Sequence, residues 1–87
     1  MISVVSVPCL ELFNEQAPAY REMLFPKGLP VVTVEAGVTA PWRELAGRDG
    51  LTIGIDRFGA SAPAGILAEE YGMTVDGVTE RIRSWLP

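Results

Sequence analysis

The stretch "VVTVEAGVTAPWRELAGRDGLTIGID", Val31 to Asp56, decides the fold of this chain. Two runs rich in β-branched residues, Val31–Gly37 and Leu51–Asp56, flank "APWRELAG". In that middle segment Pro41 suits the first turn of a helix, and Gly47 suits the position just past its end. A short, nearly continuous run of apolar or small residues marks a strand covered on both faces, as in a parallel sheet. Strand, helix and strand in this order predict a right-handed crossover and parallel pairing.

Outward from this unit the pattern repeats. "ISVVSV", Ile2 to Val7, reads as a third β-branched strand. "LELFNEQAPAYREMLFP" places Leu10, Leu12, Phe13, Tyr20, Met23 and Leu24 at helical positions, and Pro18 divides it into two short helices. Phe25, Pro26 and Pro30 shape the turn into the next strand. Beyond Asp56, "RFGASAPAGILAEEYGMT" offers Ser61 as N-cap and Pro63 in the first turn. Ile66, Leu67 and Tyr71 then supply an apolar face, and Gly72 stops the helix. A last helix starts at Thr74, and the spacing of Val75, Val78, Ile82, Trp85 and Leu86 predicts one buried face. The order β-αα-β-α-β-α-α gives an α/β fold, a three-layer α/β/α arrangement around a mostly parallel sheet. Three strands are few for such a sheet and leave bare edges. Part of a larger sheet, with a partner surface, is the expectation.

Composition narrows the function. The 87 residues form one domain, 1–87, and 48% of them are hydrophobic. At this length folding buries only about 60–65% of the extended chain's surface, so the core is small. Formal net charge is -4, and the seven Lys and Arg are scattered rather than clustered. That argues against nucleic acid and against a polybasic membrane patch. No apolar run approaches the roughly 20 residues needed to span a bilayer. No charged segment precedes "ISVVSV", so a secretory signal is not expected and a cytoplasmic location is.

The single cysteine, Cys9, follows Pro8 and reads as a small buried hydrophobe, without a neighbouring cation to activate it. There is no histidine, which removes the commonest general acid/base and zinc ligand. "GIDRFGASAPAG" contains neither GxGxxG nor GxxxxGK[ST], which rejects the dinucleotide and P-loop readings. What remains there is a helix start whose N–H groups, with Arg57, Ser61 and Ala62, could hold a small anion. The plain reading, Ser61 capping a helix beside a solvated Arg57, is preferred. Glu35, at the end of a strand, either binds a ligand or accepts hydrogen bonds from the helix starting near Thr39 or Ala40, and the structural role is preferred. Glu69 and Glu70 point about 100° apart on a helix and form a solvated face, not an acid/base pair. Asp56–Arg57 and Arg48–Asp49 read as surface pairs of little weight. Trp42 and Trp85 read as packing anchors.

These same segments resemble, in order and over nearly the whole chain, the C-terminal domain of transketolases. "VVSVPCLELFNEQAPAYREMLFP" is similar to that family's strand, Pro-Cys turn, Phe-x-x-Gln helix and Tyr-Arg segment. "VTVEAGVTAPWRELAG" resembles its valine-rich strand, Glu-Ala-Gly turn and tryptophan-bearing helix. "IGIDRFGASAPAGILAEEYGMTVDGV" resembles its Phe-Gly-x-Ser-Ala-Pro stretch followed by Leu and Tyr-Gly-x-Thr. The resemblance implies a five-stranded mixed sheet between helix layers, with the family's first strand-helix stretch and its Thr-Gly-Ser turn not represented. It also implies a parent enzyme that transfers a two-carbon ketol unit between sugar phosphates with thiamine diphosphate and magnesium. Those groups are held in that family by two other domains, so this chain is expected to bind neither and to be inactive alone. Its expected partners are the remaining domains or a separate subunit, in a homo-oligomer. What carries over is structural: Glu35-Ala36-Gly37, and Phe58-Gly59 with Ser61-Ala62-Pro63, match strand-to-helix turns. Two alternatives stand beside this, a free-standing small-anion-binding regulatory module and the short subunit of a split thiamine diphosphate enzyme.

Overall fold

The computed structural model describes residues 2–56 and 68–87. The expected helix start at Ser61 and Pro63 lies outside them. Within the decisive stretch, β1 (Val32–Val34) and β2 (Leu51–Ile53) pair in parallel, with Val32 opposite Leu51, Thr33 opposite Thr52 and Val34 opposite Ile53. Backbone bonds continue past both ends of the ladder, from Leu51 N to Val31 O (3.0 Å), Glu35 N to Ile53 O (3.0 Å) and Ile55 N to Gly37 O (2.7 Å). The crossover is a single turn of 3-10 helix, Ala40–Trp42, running into α3 (Arg43–Ala46). Pro41 sits in its first turn, and Gly47 ends α3 at φ 81°, a left-handed conformation that disfavours side chains. α3 packs on both strands.

Upstream, α1 (Leu10–Asn14) and α2 (Pro18–Leu24) divide at Pro18, as its fixed φ and missing N–H dictate. The two are tied together by Gln16 Nε2 donating to Leu12 O (3.0 Å) and Arg21 Nε donating to Gln16 O (3.2 Å). Phe13 and Phe25 meet edge to face at 5.6 Å. Downstream, residues 68–70 are helical, and Gly72 at φ 70° ends that turn. α4 (Val75–Trp85) follows. Its N-cap, Thr74, is extended, and the Thr74 hydroxyl accepts from Gly77 N at 3.0 Å, satisfying one of the helix's orphan donors. α4 docks on β2, and Trp85 Nε1 donates to Asp49 O (3.1 Å), so Trp85 anchors the last helix to the loop entering β2.

Three expectations are corrected. Residues 2–7 form no strand: the described sheet has two strands, and Ile2 and Val4 are 89% and 92% exposed. β-branching favours a strand only where a neighbour supplies ladder bonds, and among the described residues this run has none, although Val5 and Val7 are half-buried. Cys9 is exposed, not buried, because no sheet stands behind that run; its thiol donates to Glu11 Oε2 at 3.4 Å. The apolar face of α4 is only half covered, through Val78, Ile82 and Trp85, while Val75 and Leu86 face outward. The buried apolar core among the described residues is Phe13, Ala46 and Ile53.

Candidate functional site

The polar groups converge at the C-terminal ends of β1 and β2, where the chain leaves the strands. Gly54 lets the two exits touch: a Cβ there would lie 2.5 Å from Gly37 O and 2.8 Å from Thr39 Cγ2. This closeness carries Asp56 over the start of the crossover helix. Asp56 Oδ1 accepts from Thr39 N and Oδ2 from Thr39 Oγ1, both at 2.8 Å. Arg43 Nη2 donates to the same hydroxyl at 3.4 Å. Thr39 itself is buried, with 4% of its surface exposed. A carboxylate 17 residues away in sequence thus satisfies the N–H of the N-cap residue, as the third-position acid of a capping box does.

The Thr39 N–H, then its hydroxyl, hold the Asp56 carboxyl below the ordinary value of 3.8, against a smaller desolvation effect and helped by Arg43. A carboxylate whose folded pKa is depressed stabilises the fold fully above the unfolded pKa, and that contribution is lost as pH falls through the folded value. The contribution of Asp56 is therefore expected at neutral pH and lost in acid, from about pH 5 down to below 3.8. The difference in melting temperature between the parent chain and Asp56→Asn should shrink as pH is lowered across that window. A difference that stays constant or widens would show that the ionised form carries no such role.

Two readings from sequence change here. The helix start takes its hydrogen bonds from Asp56, not from Glu35, and Asp56 is therefore more than half of a surface pair. Among the described residues no hydrogen bond reaches the Glu35 carboxylate, whose Cγ and Oε1 pass beside Gly37. Glu69 and Glu70 are exposed. The proposed anion-holding residues Arg57, Ser61 and Ala62 lie outside the described residues. Asp56 was missed because register, not spacing, brings it to Thr39. The one sequence signal was a glycine two residues before an acid at the exit of a strand.

Two open grooves mark the surface of the described residues. One, of about 560 Å³, is lined by Gly72, Gly77, Glu80, Arg81, Ser84 and Trp85. The other, of about 490 Å³, lies beside α3 and is lined by Arg43, Glu44, Gly47, Arg48, Gly50 and Thr52. In the first, the exposed Ser84 hydroxyl donates to Glu80 Oε1 at 3.4 Å, one helical turn away. Among the described residues no three Asp, Glu, Cys or His side chains gather as metal ligands. Among the described residues no helix is long and apolar enough to cross a membrane.

Comparison with known proteins identifies the family. The family described as "Transketolase-like TK C-terminal domain" matches residues 1–74. "Transketolase, plasmid" of Cupriavidus necator is 54% identical over 71 residues, covering 82% of this chain and 11% of that protein. "Transketolase 2" of Xanthobacter flavus is 51% identical over 83 residues, 92% of this chain and 12% of that protein. "Transketolase, chloroplastic" of Spinacia oleracea is 45% identical over 84 residues, 95% of this chain and 11% of that protein. The chain thus spans about a tenth of the length of these relatives. With a parallel β-α-β unit closed by Asp56 on Thr39, and a match over residues 1–74, the chain belongs to the transketolase C-terminal domain family.

Proposed function

We propose that this chain stabilises and helps assemble a transketolase, as its C-terminal structural domain, and takes no part in the chemistry itself. The parent enzyme would move a two-carbon ketol unit between sugar phosphates in the pentose phosphate pathway. Thiamine diphosphate and magnesium would be bound by its other domains. It would act as a dimer in the cytoplasm, although the Spinacia oleracea relative carries a chloroplastic name. The observation that supports this most is the family match over residues 1–74. We take residues 1–87 as one partial domain. α4 lies beyond the matched residues 1–74 yet is anchored through Trp85 to the β2 entry.

The test is ketol transfer with thiamine diphosphate and magnesium present. The 87-residue chain alone should show no turnover, whereas deleting it from the longer polypeptide that contains it should weaken that enzyme's assembly. Turnover by the isolated chain would overturn the reading. The turn holding Arg57, Ser61 and Ala62 is proposed chiefly to start a helix, with small-anion binding as its lesser role. If phosphate binding is undetectable, or is unchanged in Arg57→Ala, the lesser role is discarded.

A further inference from the structure

The loop that enters β2 carries a reactive pair. Gly47 to Gly50 form a tight turn, closed by Gly50 N donating to Gly47 O at 3.2 Å. Asp49 and Gly50 end that turn, and β2 begins at the next residue, Leu51. The Asp49 side chain is exposed, and among the described residues no hydrogen bond or ion pair holds its carboxylate. Gly50 has no Cβ to hinder an approach to its nitrogen. The fold also requires glycine there, because a Cβ would collide with Ala46 O and lie 2.9 Å from Ala46 Cβ.

A second Asp-Gly pair supplies the contrast. Asp76 and Gly77 lie in the first turn of α4, and Gly77 N donates to the Thr74 hydroxyl at 3.0 Å. Asp76 is exposed as well, so exposure does not separate the two pairs. Backbone geometry does. A helical side chain leans back toward the helix N-terminus, away from the amide nitrogen that follows it. Gly77 N therefore reaches the Asp76 side chain only if the first turn of α4 unwinds, whereas Gly50 N has one turn bond to release.

Trp85 gives the loop pair its consequence. Its Nε1 donates to Asp49 O at 3.1 Å and so anchors α4. That oxygen belongs to the peptide group joining Asp49 to Gly50.

We propose that Asp49–Gly50 is a self-modifying site, where closure to a succinimide and reopening to isoaspartate unfasten Trp85 and loosen α4 from the β2 entry. In the first step the Gly50 nitrogen attacks Asp49 Cγ. The N–Cγ bond forms, and the carboxyl hydroxyl leaves with the amide proton as water. In the second step water adds to the ring carbonyl derived from the Asp49 backbone, the original C–N bond breaks, and the nitrogen regains its proton. Reopening at Cγ instead restores aspartate. Water is the co-reactant, and nothing is oxidised or reduced. The main chain then runs through Cβ and Cγ, one carbon longer, just before the Val32–Leu51 pairing. The oxygen that held Trp85 now belongs to a free carboxylate.

The 87-residue chain, incubated for days below its melting midpoint in water labelled with heavy oxygen, tests this by peptide mapping and mass spectrometry. Peptides holding Asp49 should lose one water, then take up label and carry isoaspartate, about tenfold or more faster than peptides holding Asp76. Asp49→Asn should reach the same ring sooner, releasing ammonia in place of water. Asp49→Ser keeps the backbone oxygen for Trp85 but cannot cyclise, so its melt should not change with age. The isomerised fraction of the aged parent should melt about 4–8 °C lower, the worth of one lost hydrogen bond. An unmodified Asp49, equal rates at Asp49 and Asp76, or a parent that ages no differently from Asp49→Ser would overturn the proposal.

Discussion

Ile53→Ala should abolish the cooperative melt of this chain or lower its midpoint by more than about 10 °C. Ile53 is 1% exposed and, among the described residues, the one side chain buried essentially completely. It sits in β2 opposite Val34, and its carbonyl receives Glu35 N. Truncating a buried Ile to Ala costs about 2–5 kcal/mol, because the lost burial is joined by a cavity that neighbours fill only partly. A chain of this length has roughly 4–13 kcal/mol in total to lose. With a buried apolar core of Phe13, Ala46 and Ile53 among the described residues, the lower part of that range applies. Each kcal/mol is worth about 4–8 °C in a domain of this size, so the loss exceeds what thermal scatter can hide. Ile53→Val removes one methylene and should cost only about 0.5–1.5 kcal/mol. Differential scanning calorimetry of both variants decides the matter. An Ile53→Ala melt within a few degrees of the parent would mean that the strand pair, not this side chain, holds the fold.

The contrast between β1 and residues 2–7 shows what could be read from residue types and what could not. Both are short β-branched runs, and both satisfy the same pattern. Only Val32–Val34 becomes a strand, because the crossover helix returns β2 to its side with complementary register. That return was legible: Pro41 and Gly47 are local signals, and local backbone chemistry sets where a short helix starts and stops. Pro18, Thr74 and Gly72 were legible for the same reason. Pairing for residues 2–7 was not legible, since a partner strand is a fact about the whole sheet and not about the run. The exposed Cys9 and the half-covered α4 follow from that one difference, for each expected a wall of sheet that two strands do not supply. In the candidate site the acid that matters also escaped. Glu35 and Asp56 look alike at the ends of two strands, and the parallel register alone puts Asp56, not Glu35, within 2.8 Å of Thr39.

That register depends on Gly54, which leads to the second large effect. Gly54→Ala should destabilise the chain by about 1–3 kcal/mol and at the same time erase the acid response of Asp56. The requirement is for space and not for an unusual backbone, since Gly54 is not among the glycines of positive φ. An added Cβ would meet Gly37 O at 2.5 Å, Thr39 Cγ2 at 2.8 Å and Glu35 O at 3.2 Å. Two of those three atoms are backbone, so no rotamer change relieves them, and the strand exits must part. Parting them stretches the Ile55 N to Gly37 O bond, now 2.7 Å, and draws Asp56 away from Thr39. Gly28→Ala is the useful contrast. Gly28 has φ 85° with nothing near its would-be Cβ, so its cost should be backbone strain alone, about 1–2 kcal/mol, with the acid response intact. Because Gly54 and Asp56 act through one contact, Gly54→Ala and Asp56→Asn combined should cost less than the sum of the two. Strict additivity in thermal melts at neutral pH would separate the glycine from the cap, and the close approach of the strand exits would then serve packing alone.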